Sequence, residues 1–229
     1  MQDKVLETLK QCDYQVFTKG DDPEPIYRLR YDCYRAENSI PENASRMMSD
    51  PYDESPNCVH VAVRFRDTYL AAVRLHIATD QMWNAPTIDV FPEYLNAVPF
   101  GKSILDPTRF VVRREARAAG LPMHFVALRI PFLASMFYDI DLALAPVRVE
   151  HSAFYLRYLG YDVCEMPRLY PGLRKPVGLL ATKVKEQQGA VLARYPFLGP
   201  VGSIPRSDIA FPDLHEVFPA AAPAIPRVA

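Results

Sequence analysis

Two charged side chains, Asp106 and Arg109, interrupt an otherwise apolar run, Ile104-Leu-Asp-Pro-Thr-Arg-Phe-Val-Val112. Buried charges are costly unless they are paired or engaged by a ligand, so the run marks an ion-pair network, a reaction site, or both. A carboxylate in such a place can take a proton from a reacting group. An arginine fork can hold a second carboxylate through two parallel bonds. On a regular strand, residues an odd number of positions apart face opposite sides. Pro107 breaks the regularity, because it has no N–H to give to a ladder. The sequence therefore predicts a bulge near Pro107 that resets the alternation. Asp106 then faces the reacting group, and Arg109 is buried against an acidic residue of Asp50-Pro-Tyr-Asp53. Arg30 and Asp50 suit a buried network bracing the first helix and its loop as well as they suit a binding site.

A second group lies just downstream. Arg113, Arg114 and Arg117 lead into Gly120-Leu-Pro122, ahead of a helical apolar pattern. A loop feeding a helix N-terminus offers N–H groups and the positive dipole end to an anion such as a phosphate. Pro122 fixes φ there but removes one donor. The arginines suit an acidic partner and equally a solvated face. Phe125, Leu128, Phe132, Leu133, Met136 and Phe137 read as core, and unbranched Met123 and Met136 would also line an apolar ligand flexibly. His60, His76 and His124 read as ordinary core histidines.

The elements that must position these groups follow from composition and period. The chain has 229 residues, 49% apolar and 23% charged, with 27 acidic and 26 basic side chains. That mix excludes wholesale disorder, and the net charge of -1 argues against binding nucleic acid through global charge. No run reaches the roughly 18 apolar residues of a membrane span, and Met1-Gln-Asp-Lys-Val carries no signal-peptide core. Cys12, Cys33, Cys58 and Cys164 are scattered, which fits neither a disulfide framework nor a zinc site and suits the cytoplasm. No metal-ligand set stands out.

Short strands are expected at Tyr14–Thr18 and over Ile104–Val112, Leu142–Val149, Tyr161–Glu165 and Val177–Val184. Cys58–Phe65 and Thr68–Ala78 read as a hairpin turning at Arg66-Asp67. Helices are expected from Pro25, from Gly120-Leu-Pro122 to about Tyr138, and from Ser152 to Leu159, closed by Gly160. From Gln187 onward periodicity fades and prolines crowd, up to Pro219, Pro223 and Pro226, so an extended proline-rich arm is expected. The fold class is α/β, a mixed central sheet flanked by helices. The domain spans residues 14–186 and the C-terminal extension 187–229.

Several motifs carry a family resemblance. Arg117-Ala-Ala-Gly120-Leu-Pro122 resembles the coenzyme A loop of GNAT acyltransferases, and Phe154-Tyr-Leu-Arg-Tyr-Leu-Gly160-Tyr161 resembles their helix-glycine-strand unit. That unit often carries a tyrosine that protonates the departing thiolate; Leu156 stands in its place, with Tyr155 one step earlier. In order, Arg30-Tyr-x-x-Tyr34, Asp50-Pro-Tyr-Asp53, Val73-Arg74-Leu75, Val90-Phe-Pro-Glu-Tyr-Leu95 and Asp106-Pro-Thr-Arg109-Phe resemble the acyl-homoserine-lactone synthases. The tryptophan of that family falls near Ile40 here, and its glutamate is Asp106. The segment from His151 to Tyr161 is more similar to the related N-acyl amino acid synthases, GNAT-like enzymes that join a long acyl chain to an amino acid.

The resemblance implies an N-acyltransferase acting on a thioester of acyl carrier protein or coenzyme A, with no tightly bound cofactor. It implies Asp106 as base, with Thr108 and Arg109 catalytic beside it. Arg30, Tyr34, Asp50, Asp53 and Arg74 would bind the acceptor, and Val111, Arg113, Arg114, Arg117 and Gly120 the pantetheine arm. Backbone N–H groups of the same strand would meet the oxyanion. The partners implied are acyl carrier protein and an amino acid, with no nucleic acid. A lactone synthase using S-adenosylmethionine and a non-catalytic binding module are the alternatives.

Overall fold

The computed structural model describes residues 1–18, 20–96 and 98–214. Seven strands, β1 (Cys12–Phe17), β2 (Cys58–Phe65), β3 (Thr68–Ala78), β4 (Ile104–Val112), β5 (Leu142–Val147), β6 (Asp162–Arg168) and β7 (Val177–Lys183), form one sheet. Their order is β1-β2-β3-β4-β5-β7-β6. Every neighbouring pair is antiparallel except β4 and β5. The helices are α1 (Gln2–Leu9), α2 (Glu24–Ala36), α3 (Pro86–Val90), α4 (Pro92–Asn96), α5 (Arg114–Ala118), α6 (Met123–Phe137), α7 (Val149–Tyr158) and α8 (Val184–Arg194). This is the mixed α/β sheet with flanking helices that the sequence indicates.

The hairpin turns where expected, with Arg66 in the left-handed region at φ 53 and Phe65 paired with Thr68. Period-two alternation then sorts β2 and β3 between two layers. Val59, Val61, Val63, Val73 and Leu75 pack with Val126, Ile130 and Leu133 of α6. Ala62 and Ala72 face the other way, onto Ile26 and Leu29 of α2. The helices therefore lie on opposite faces of the sheet.

One feature of the topology positions the site. β4 and β5 pair only at Ile104 with Leu142 and Leu105 with Ala143. Beyond those rungs the two strands part, and the sheet forks.

The C-terminal segment differs from the expected arm. After α8, 3-10 turns form at Pro196–Leu198 and Pro205–Ser207. Tyr195, Phe197, Leu198, Ile204 and Phe211 are buried in the same core as α6. Arg129, fully buried on α6, donates to the carbonyls of Phe197 (2.6 Å), Gly199 (2.8 Å) and Ser207 (2.9 Å). The prolines misled because Pro196 and Pro205 open turns, where no ladder N–H is required. α8 escaped notice because only Val184 and Val191 along it are buried. Pro219, Pro223 and Pro226 lie outside the described residues. The N-terminal α1, anchored by Val5 and Leu9, is also additional to the expected elements.

Candidate active site

The fork opens into a cavity of about 1320 Å³ that reaches both faces of the sheet. On the α6 side its wall is largely apolar: Leu121, Leu128, Phe132, Phe154, Leu159 and Val191. On the α2 side it is polar, with Tyr34, Glu37, Ser39, Arg148, His151 and Lys175. Beyond Leu105, β4 has no strand partner on the β5 side, so its backbone on that edge is free to meet a ligand.

A bulge shapes β4, two residues later than the sequence suggests. Pro107 stays in register opposite Leu75; Ala72 pairs with Val111 and Arg74 with Thr108, leaving Val73 across from both Arg109 and Phe110. Pro107 is tolerated because β4 behaves as an edge there. Arg109 takes the strain instead, with φ 51, and the alternation resets at that point. Val111 accordingly joins Ala62 and Ala72 on the α2 face.

Arg109 is held by what it reaches. Its Nη2 lies 2.5 Å from Asp50 Oδ2 and also donates to Pro171 O at 3.2 Å. Arg74 Nη1 joins Asp50 Oδ1 (2.6 Å) and Asp53 Oδ1 (2.9 Å), while its Nε donates to Thr108 Oγ1 at 2.9 Å. Arg30 Nη1 binds Asp53 Oδ1 at 2.7 Å, and its Nη2 approaches His60 Nδ1 at 2.9 Å. Burial pushes the Asp50 carboxyl up, but Arg74 and Arg109 outweigh it and hold its pKa down to about 2. Burial, reinforced by Arg30, depresses His60 to about 4, and burial with Arg74 depresses His76 to about 3. Both are neutral core histidines at pH 7.

The thirteen sequence candidates divide cleanly. Tyr34, Thr108, Arg109 and Val111 line the cavity, as do Arg113, Arg114, Arg117 and Gly120. Arg30, Asp50, Asp53 and Arg74 lie behind the wall as one network bracing α2, the Asp50–Asp53 turn and β3. Asp106 is also behind it. It is fully buried, taking the Thr87 N–H on Oδ2 (3.0 Å) and the Thr87 hydroxyl on Oδ1 (2.6 Å), and Thr87 Oγ1 lies 3.2 Å from Tyr170 Oη. Burial raises its pKa to about 6 against the pull of those bonds. The expectation that Asp106 faces the reacting group is corrected: with the bulge at Arg109 rather than Pro107, Asp106 stays paired with His76 under α3.

Gly120 needs a similar correction. At φ 66 its N–H donates to Arg117 O and the Leu121 N–H to Ala116 O, which is a Schellman closure of α5. Neither N–H remains for a phosphate. The basic mouth here comprises Arg114, Arg117 and Lys4, whose Nζ lies 3.5 Å from the point a Gly120 Cβ would occupy. Arg113 is partly spent on Tyr69 O and Asp32.

Local motifs gave no sign of Lys4, Glu37, Ser39, Arg148 or Lys175, which only the tertiary fold brings to the cavity. Tyr155 lines it despite its shifted register, with Tyr161 edge-on at 5.4 Å. Burial raises the Tyr155 hydroxyl to about 12.

The family model described as N-acyl amino acid synthase FeeM matches residues 25–183. The chain belongs to the FeeM family of N-acyl amino acid synthases. It is an N-acyltransferase, and the binding-module alternative falls away. The solved structure of FeeM, an N-acyl amino acid synthase from uncultured soil microbes, shares its fold at TM-score 0.65 and 16% identity, over 80% of this chain and 96% of FeeM. A CoA-dependent acyl-homoserine lactone synthase, BjaI, with SAM and isopentyl-CoA, gives 0.60 and 15%, over 86% and 98%. TofI, in a ternary complex with an inhibitor and MTA, gives 0.58 and 17%, over 81% and 99%. No curated protein matches the chain in sequence. Among the described residues, no helix is long and apolar enough to cross a membrane.

Proposed function

We propose that this N-acyltransferase moves a long-chain acyl group from a thioester on acyl carrier protein to the amino group of an amino acid. The observation that carries the reading is the cavity's division at the fork, apolar on the α6 side and polar on the α2 side. An acyl chain gains free energy by leaving water for the first half, at ~0.8 kcal/mol per buried CH₂. A zwitterionic acceptor suits the second. The two meet where β4 loses its partner strand. There the acceptor's ammonium first gives one proton to water; the amine nitrogen then attacks the thioester carbonyl carbon, a C–N bond forms, the C–S bond breaks, and the nitrogen's second proton balances the one the thiolate takes up. Free backbone N–H groups of β4 are the proposed oxyanion donors. Tyr155, kept protonated by burial, is the proposed proton source for the thiolate.

Thr108 and Arg109 line the wall beside this point, and Arg109 shapes it through the bulge. Arg114, Arg117 and Lys4 at the mouth suit an acidic carrier protein, since complementary charge speeds docking. The protein acts in the cytoplasm, where acyl carrier protein is loaded. The test is incubation of the purified enzyme with long-chain acyl carrier protein, the protein amino acids and S-adenosylmethionine, with products read by mass spectrometry. An N-acyl amino acid supports the reading. A homoserine lactone formed from S-adenosylmethionine overturns it.

A further inference from the structure

The arginines that sequence alone would give to the acceptor's carboxylate are already committed. Arg30, Arg74 and Arg109 are spent on Asp50 and Asp53. On the polar wall, Arg148 pairs with Glu37 at 2.8 Å, and Arg174 nearby donates to Asn38 Oδ1 at 3.1 Å. Lys175 also lines the cavity; it is exposed, with Glu150 and His151 within its electrostatic reach.

The loop that carries Lys175 is firmly placed. Tyr170 Oη lies against Thr87 Oγ1, Pro171 O accepts from Arg109, and Leu173 packs with Tyr31, Ile40 and Met48. The Arg174 N–H donates to Ser39 O at 3.0 Å. That bond sets Ser39 beside the residue preceding Lys175. Ser39 is itself fixed, its N–H donating to Tyr34 O at 2.9 Å. Its side chain lines the cavity, is 3% exposed, and its Oγ has no hydrogen-bond partner. A buried hydroxyl without a partner is costly, and Lys175 lines the same cavity.

We propose that Lys175 Nζ and Ser39 Oγ together bind the α-carboxylate of the amino-acid acceptor, holding its amine toward the fork between β4 and β5. The inference rests on the amino-acid reading of the polar half and adds to it the atoms that distinguish an amino acid from a simple amine. The site accordingly rejects acceptors lacking the carboxylate, because Ser39 would then stay unpaired.

The test uses the full chain, a long-chain acyl carrier protein, and the best protein amino acid from the screen above beside its decarboxylated amine. The wild type should prefer the amino acid. Lys175→Gln should raise its KM roughly 10- to 100-fold, the range for a lost hydrogen bond to a charged group, with KM for the acyl carrier protein unchanged. Selectivity against the amine should collapse, and Lys175→Glu should reverse it. Ser39→Ala should raise the same KM by several-fold. Arg174→Gln, a neighbouring charge outside the site, should leave both constants unaltered. Unchanged acceptor KM and selectivity in Lys175→Gln would overturn the inference while leaving the amino-acid reading intact. A wild type that acylates amines but no amino acid overturns both.

Discussion

At the scale of single residues, burial separates groups that meet substrate from groups that hold the site in place. Asp106 is a carboxylate, as a base must be, but each of its oxygens accepts a bond from Thr87, and it does not line the cavity. Asp106→Asn should therefore keep kcat within about threefold of wild type, where loss of a working general base costs 10²-fold or more. Steady-state assays on the refolded variant decide between them. Tyr155 is the opposite case, a cavity residue out of its motif register. Tyr155→Phe removes one oxygen from a half-buried ring and should lower kcat by about 10²-fold with little change in either KM. Arg109→Ala leaves Asp50, 19% exposed, with Arg74 alone. Breaking a buried pair in this way should cost about 3 kcal/mol or more in urea unfolding, and it also frees the bulge.

At the scale of elements, what was legible in the sequence had a period or a stop signal. The β2–β3 hairpin and β4 fell at their expected limits because alternation and a two-residue turn define them locally. α6 began one residue after Pro122, and Gly160 closed α7 at φ 67. The register shift at Arg109 was not legible, since a residue with φ 51 is held there by partners distant in sequence, Asp50 and Pro171. The C-terminal segment failed for the same reason. Its burial depends on Arg129, whose four acceptors include Tyr14 Oη and three carbonyls beyond residue 196. A sequence pattern carries no trace of a helix arginine that caps another segment's carbonyls. Arg129→Met keeps the stem's bulk and strands those carbonyls. It should lower stability by about 3 kcal/mol and expose residues 195–211 to limited proteolysis before the sheet unfolds.

At the scale of the whole molecule, the buried titratable groups behind the cavity set how stability depends on pH, and they act in opposite directions. His60 and His76 fall from 6.5 to about 4 and about 3 on folding, chiefly through burial. Their depressed values mean that stability is complete above pH 6.5 and is lost as the pH falls, because only the unfolded chain takes up those protons. Asp106 rises from 3.8 to about 6, again through burial. Between pH 6 and pH 4 the folded chain protonates it first, so acidification adds stability through this group. Each such group contributes roughly 1.4 kcal/mol per pH unit inside its window. With two histidines against one aspartate, these three groups together should cost roughly 1.4 kcal/mol per unit from pH 6 to pH 4, and His124 and His151, also depressed by burial, add to the loss. Asp106→Asn removes the opposing group and should steepen the loss by roughly 1.4 kcal/mol per unit. His76→Asn removes one of the two histidines and should make the loss shallower by about the same amount. Asp50, held at about 2 by Arg74 and Arg109 against its burial, adds its own loss only below pH 4. Urea unfolding at half-unit steps between pH 4 and pH 6.5 reads all three slopes. Parallel lines for the three proteins would mean that these side chains do not titrate as their burial requires.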